Sequence, residues 1–364
     1  GMRVLLLGDY SSVHYNLWQI LNYKGIDCTL LSDGDGYKNI PTNLKWFPAP
    51  AESKAKIYAN MHGEEFWKKN FEFIKGIKGF DVVQIINPVI CEQLNSNLNK
   101  LLFDLLIENN KKVFMYAVGD DNAWVSYHLK NKTKSMFNNK KIFLSREIYH
   151  CGRYLLYPGY RNLSEYVASK VNAIIPGSID YLKPYEKKNN CTKVVPFPID
   201  VKKFELCDSD NKRVRIFHGI QNGKNYRKGD YVFNKAKSLI SNAEFIDIRS
   251  VPFTQYIELM KKSDIIFDQT FSYDQGMNAI MGMAYGKVVF SGFEDEFLKY
   301  YNLNNDEIGI NATSDFVHIA DKANELIASS KLRRNISDSA REFIRNNHSD
   351  NIVCDEFIKI WESY

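Results

Sequence analysis

The stretch His218 to Tyr231 reads HGIQNGKNYRKGDY, with Lys224, Arg227 and Lys228 set among Gly219, Gly223 and Gly229. Cations beside glycine amides suit a diphosphate, whose charge is met best by charge-assisted hydrogen bonds. A run of charge is also ordinary in a solvated loop, so its position decides, and this one follows an apolar, strand-like segment. It is not a Walker loop, because G-x-x-x-x-G-K-[ST] is absent. Residues 267–292, FDQTFSYDQGMNAIMGMAYGKVVFSG, read as strand end, loop, helix and strand, with Gly276, Met277 and Asn278 opening the helix. Free amides at a helix N-terminus favour an anion. Two such loops in one domain are a stronger signal than either alone.

A third strand-to-helix loop lies near the start, Gly8-Asp9-Tyr10-Ser11-Ser12-Val13-His14. Gly8 permits close backbone approach, and Ser11 or Ser12 is expected to cap the helix that follows. No G-x-G-x-x-G is present, so a nicotinamide or flavin site lacks its fingerprint. Asp120-Asp121 follows the apolar run VFMYAVG and is expected at a ligand crevice. Asp33-Gly34-Asp35 reads as a turn and Asp208-Ser209-Asp210 as part of a linker, where Asp is common for local reasons. Seven scattered His show neither triad nor metal spacing, and only His14 and His218 follow strand ends. No metal site is expected.

The elements that would position these loops alternate. Strands are predicted at Arg3–Leu7, Cys28–Leu31, Asp81–Ile86, Lys112–Val118, Ala173–Ile175 and Lys193–Val195, with helices near 13–24 and 94–109. After Pro196-Phe197-Pro198-Ile199-Asp200 the rhythm restarts. Strands at 214–218, 243–248, 265–268 and 288–290 then alternate with helices at 231–240, 255–262 and 277–285. Helices near 317–328, 331–346 and 352–361 close the chain. This β-α-β order predicts an α/β fold with two parallel sheets, each a Rossmann-like domain. The expected division is 1–198, 199–345 and a final helical piece, 346–364, returning to the first domain.

Bulk composition excludes several classes. The chain has 364 residues, which favours two domains, and a globular balance of 45% hydrophobic and 25% charged residues. A net charge of +5 spread along the chain does not make a nucleic-acid face. Six Cys include no C-x-x-C, so reduced structural thiols are expected. Gly1 before Met2 reads as a processing scar, and no signal peptide or spanning run is apparent. The expectation is a cytoplasmic protein, free or at the inner face of the membrane.

Taken together, these segments resemble the GT-B glycosyltransferases of retaining family 4, the group 1 type, over nearly the whole chain. VNAIIPGSIDYLKPY with KVVPFPID is similar to that family's approach to its linker, and RKGDYVFNKAKSLI to its basic loop and helix. The run ending MAYGKVV is similar to its donor segment, and FIRNNHSDNIVCDEFIKIW to its returning helix. The resemblance implies a GT-B fold, two Rossmann-like domains facing across a cleft, with the acceptor on the first and the donor on the second. It implies a donor site of Gly219, Lys224, Arg227, Lys228, Tyr273, Gly276, Met277, Asn278 and Met281. Gly8, Asp9, Ser11 and Ser12 would form the acceptor loop, with Asp120 and His14 as catalytic candidates. The chain departs from the family where two glutamates are usual, since Tyr273 and Met281 stand there. Ile220 likewise stands where the family has an arginine, and Arg227 or Lys224 could replace it.

The function expected is transfer of a sugar from a nucleotide-diphosphate sugar to a glycan or lipid-linked acceptor. Retention and independence of metal or other cofactor are implied, in the synthesis of surface polysaccharide or glycolipid. The alternative is a catalytically silent GT-B protein that binds a sugar nucleotide or a partner transferase. Sugar-nucleotide epimerisation would need an acid pair that is not evident, and a dehydrogenase would need the missing glycine fingerprint.

Overall fold

The computed structural model describes residues 1–33, 44–45, 63–131, 133–209, 211–220 and 225–364. Lys224, Gly223, Gly34, Asp35 and Asp210 lie outside the described residues. Two compact units form, one from residues 1–127, 149–199 and 350–364, the other from 128–148 and 200–349. The sequence suggests one cut near 198, but residues 128–148 cluster with the second unit. Their polar groups explain this. Lys134, only 5% exposed, donates to Asn311 Oδ1 at 3.1 Å and to the Ala312 carbonyl at 3.0 Å, and lies 3.5 Å from Glu294. A buried ammonium held this way strongly resists being pulled from its partners.

Among the described residues the first unit holds a six-stranded parallel sheet. Its strands are β1 (Arg3–Leu7), β2 (Asp27–Ser32), β3 (Leu44–Lys45), β4 (Val82–Ile85), β5 (Lys112–Ala117) and β6 (Ala173–Pro176). Their order is β3-β2-β1-β4-β5-β6. Runs such as RVLLL and AIIP are buried along nearly their whole length, as strands covered on both faces must be. The order reverses between β1 and β4, and ligands bind open α/β sheets at the carboxyl ends flanking such a reversal. The helix Val13–Tyr23 follows β1 and ends at Gly25, whose φ of 81° suits a glycine stop.

The last helix, Asp350–Ser363, belongs to this unit and reaches its first loop through a buried chain of hydrogen bonds. Trp361 Nε1 donates to Gln84 Oε1 at 2.9 Å, and Gln84 Nε2 lies 3.1 Å from His14 Nε2. His14 Nδ1 lies 2.7 Å from the Gly8 carbonyl, which can only accept. The proton therefore sits on Nδ1, and Nε2 accepts from Gln84. Phe357 meets the ring of Tyr116 edge-on at 4.8 Å, and the Tyr116 hydroxyl donates to the Val195 carbonyl at 2.8 Å.

Among its described residues the second unit has five parallel strands, β7 (Val214–Ile220), β8 (Ala243–Arg249), β9 (Ile265–Phe267), β10 (Val288–Ser291) and β11 (Ile310–Asn311). Their order is β11-β10-β9-β7-β8, so the reversal lies between β7 and β9. An aromatic stack fills the core: Phe233 lies on Phe267 at 4.7 Å and Phe267 meets Phe290 at 5.1 Å.

The predicted strand Lys193–Val195 does not form. Thr192 and Val195 donate to the carbonyls of Ile174 and Pro176 in β6, but among residues 191–195 the bridge to β6 is made at Cys191 alone. Pro196 and Pro198 lack the amides a longer ladder would need. Helices at Glu64–Lys75, Asn122–Lys130, Glu147–Leu156, Tyr160–Lys170 and Ile179–Tyr185 were not legible as separate elements. Gly152 lies inside one and Pro184 inside another, both poor helix signals in a sequence.

Burial holds the pKa of His14 at about 4, below the ordinary 6.5, so folding favours the neutral ring. The unfolded chain takes its proton first as pH falls. The stabilisation is complete above pH 6.5 and is lost as pH falls toward 4, by about 3 kcal/mol. Denaturant unfolding of wild type and His14→Gln should show wild type losing roughly that much of its advantage between pH 7 and 4. A pH-independent difference would contradict the buried, neutral ring.

Candidate functional site

In the second unit the loops after β7 and β9 meet at the reversal. Thr270 donates its amide to the Lys228 carbonyl at 2.9 Å. Between them Gly229 has φ of 76°, and a Cβ there would lie 1.9 Å from Thr270 Oγ1. Glycine is therefore required on two grounds, conformation and space. Lys228 Nζ lies 3.8 Å from Asp268 Oδ1, while Asp268 Oδ2 accepts from Ser291 Oγ at 2.7 Å. The ammonium is thereby held, partly exposed, at the carboxyl end of β9.

The loop that begins at Asp268 ends at Gly276, the N-cap of the helix Met277–Ala284. Gly276 supplies no side-chain cap, and a Cβ there would meet only Gln269 Nε2, at 3.9 Å. The first-turn amides thus open beside Gln269, which itself donates to the Asp274 carbonyl at 3.4 Å. Met277 and Asn278 are half-buried at this helix start. Gln275 Nε2 donates to the Gly292 carbonyl at 2.6 Å, fixing the loop on β10. Lys228 and the Gly276 helix start therefore flank a single pinned loop, residues 268–275.

Other predicted residues fall elsewhere. Gly219 closes β7, where a Cβ would collide with Tyr256 at 2.6 Å, so its role is to admit that ring. Arg227 turns to Glu147, 3.6 Å away. Tyr273 is buried, and its hydroxyl accepts from Asn131 Nδ2 at 2.7 Å. Met281, 5% exposed, faces the helix's buried side. A thioether offers only a weak acceptor, so it would give a ligand's hydroxyls little purchase.

Behind the basic loop, His218 Nε2 donates to Asp230 Oδ1 at 2.8 Å and Nδ1 accepts from Lys237 Nζ at 2.8 Å. Lys237 also reaches Asp247 at 2.7 Å. Burial lowers the pKa of both His218 and Lys237. His218 is thus a support for the helix start at Asp230. A cavity of about 440 Å³ adjoins this region, walled by Tyr226, Tyr231 and Phe271 and edged by Asn139, Lys141 and Lys235.

In the first unit the loop after β1 is held by Asp9. Its Oδ1 accepts from the His14 amide at 3.0 Å and its Oδ2 from the Tyr15 amide at 3.1 Å. Asp9 is the cap, contrary to the expectation for Ser11 or Ser12. Those two serines instead have φ of 51° and 67°, a left-handed pair that non-glycine residues adopt at a cost. Gly8, with φ of 89°, leaves no room for a Cβ, which would lie 2.9 Å from Ile86. The catalytic expectation for His14 is corrected: it is fully buried with both ring nitrogens engaged.

Asp120 is half-buried at the carboxyl end of β5, and its carbonyl accepts from Asn87 Nδ2 at 2.8 Å. Asn87 also comes within 3.5 Å of the Tyr10 hydroxyl, so it joins the loops after β1 and β5. Asp121 is not a second ligand group. It accepts from the Trp124 amide at 2.8 Å and the Tyr185 hydroxyl at 2.5 Å, and burial pushes its pKa up to about 6 against those bonds. Asp120 and residues 8–12 therefore share one end of the first sheet.

Sequence reasoning missed Asp268, Gln269, Thr270 and Asn87. Asp268-Gln269-Thr270 follows a short apolar run at a strand's carboxyl end, the signal that could have found them. Asn87 carried no such signal.

No protein-family model matches the sequence, and no curated protein matches it. Solved structures do. Sucrose-phosphate synthase from Thermosynechococcus elongatus aligns with a TM-score of 0.62 at 11% identity, over 99% of this chain and 98% of that one. HepE of Anabaena, in complex with UDP and glucose, aligns with a TM-score of 0.60 at 11% identity over the full length of both chains. The apo form of the lipopolysaccharide outer core galactosyltransferase WaaB gives 0.59 at 10% identity, over 100% of this chain and 99% of that one. The likeness extends over both units, and the chain has the GT-B fold.

Proposed function

We propose that this protein is a glycosyltransferase using a nucleotide-diphosphate sugar. The observation that carries the proposal is Lys228 and the uncapped Gly276 helix start, flanking one loop at the reversal of the second sheet. A diphosphate there would meet a fixed ammonium on one side and the 276–278 amides on the other. The structural likeness to HepE with UDP and to HepE with UDP-glucose supports this choice of ligand.

In this reading the diphosphate is the leaving group, and its developing charge is what the site must stabilise. Lys228 and the helix-start amides do so, and no metal or other cofactor is invoked. Transfer proceeds with retention, in the manner of the family the sequence resembles, with the leaving phosphate taking the acceptor's proton. The acceptor is a glycan or lipid-linked saccharide bound at the first unit's crevice, where Asp120 and the loop 8–12 lie. The setting is cytoplasmic assembly of surface polysaccharide or glycolipid.

A second reading, a silent GT-B protein that binds a sugar nucleotide or a partner transferase, has one specific observation in its favour. The two positions where the resembled family has glutamates hold Tyr273, already hydrogen bonded to Asn131, and the apolar Met281. Neither can accept from ribose hydroxyls as a carboxylate does.

Nucleoside diphosphates and their sugars should stabilise the protein against heat. A ligand present at 100 times its dissociation constant adds about 2.7 kcal/mol. Lys228→Ala should weaken binding by roughly 10- to 100-fold, the value of a charge-assisted hydrogen bond. No shift with any nucleotide, in folded protein, would overturn the donor site. Binding without release of sugar to any acceptor or to water would favour the silent reading. Gly229→Ala should abolish nucleotide binding and destabilise the second unit by about 1–3 kcal/mol through strain. Unchanged binding would mean the pinned loop is not the site.

A further inference from the structure

Residues 128–146, HLKNKTKSMFNNKKIFLSR, contain six Lys or Arg and no Asp or Glu. The whole chain carries a net charge of only +5, so this segment concentrates positive charge found nowhere else at such density. Its tip is the 3₁₀ turn Lys140–Leu144, and side chains three apart in such a turn lie one above the other. Lys140 thus aligns with Phe143, and Lys141 with Leu144. Ile142 points the other way and is completely buried, anchoring the turn. Asn139 Oδ1 accepts from the Lys141 amide at 3.0 Å, and Ser145 Oγ donates to the Ile142 carbonyl at 2.6 Å, closing both ends of the turn.

The turn presents apolar side chains to solvent. Leu144 is 89% exposed and Phe143 46%, beside exposed Lys140, Lys141 and Arg146. A single exposed Leu is ordinary. A capped apolar tip flanked by cations with no acid in its segment is not. Interfacial membrane anchors combine these two features, apolar side chains that enter the acyl boundary and cations that meet anionic headgroups. A soluble polyanion would reward the charge alone and has no use for Leu144.

We infer that the 140–146 turn is a membrane-docking tip that seats this protein on a bilayer carrying anionic phospholipid. Phe143 and Leu144 enter the interface, and Lys140 and Arg146 lie at headgroup level with their aliphatic stems alongside. The inference stands on this surface and does not require the nucleotide reading. No helix among the described residues is long and apolar enough to cross a membrane, so this seat is peripheral.

The test is sedimentation of the full chain with vesicles of phosphatidylcholine, with and without 30 mol% phosphatidylglycerol (about that of an anionic leaflet). Wild type should sediment with the anionic vesicles and remain largely soluble with pure phosphatidylcholine. Leu144→Asp, at a position too exposed to affect folding, should lower the partition about tenfold or more. Lys140→Ala should lower it about fivefold. Failure of wild type to bind anionic vesicles would overturn the proposal. So would undiminished binding by Leu144→Asp, or equal competition by heparin for wild type and that variant, since either would make this a site for soluble polyanions.

Discussion

The hydrogen bond from the Thr270 amide to the Lys228 carbonyl is the constraint on which the candidate site depends. It joins the loops that leave β7 and β9 where the strand order reverses, and Gly229 makes room beside it for the Thr270 side chain. Everything proposed for the site follows from it. Lys228 is placed against Asp268 at the start of the next loop, and that loop ends in a helix start with no cap of its own. A cation held by a carboxylate at 3.8 Å is incompletely satisfied, and an uncapped helix start leaves amides to be satisfied by something else. A diphosphate would answer both.

The departures from the resembled family have a physical consequence. Where a glutamate would accept from ribose, Met281 is packed into the interior, and where the other would lie, Tyr273 is committed to Asn131. Asn131 belongs to the 128–148 segment, which also buries Lys134 against Glu294 and Asn311. The segment that joins the second unit and the loop carrying Tyr273 are therefore one structural feature. Recognition of a ribose at this site would fall to backbone groups and to neighbours such as Asn278 and Gln269, whose amides can both donate and accept.

Much of the architecture was legible in the sequence because parallel strands buried on both faces read as continuous apolar runs. RVLLL, VRIFHGI and VVFS were found within a residue or two of their ends. The short edge strands Leu44–Lys45 and Ile310–Asn311 were not, since two residues carry no period. The loops were legible as strand ends, and so were Lys228 and Gly276. The caps and tertiary partners were not: Asp9 rather than Ser11 or Ser12 holds the first helix, and His14 is bound inside by Gln84 and Gly8. Residue type alone does not tell a buried, satisfied histidine from an exposed one. Nor does it reveal that residues 128–148 leave the unit whose sequence surrounds them.

The most direct measurement is a crystal structure of the protein soaked with UDP. The expected result is a diphosphate with oxygens within hydrogen-bond distance of Lys228 Nζ and of the amides of Met277 and Asn278. A well-occupied diphosphate elsewhere, with the loop 268–275 and the Gly276 helix start untouched, would contradict the donor site, and with it the activity proposed for this chain.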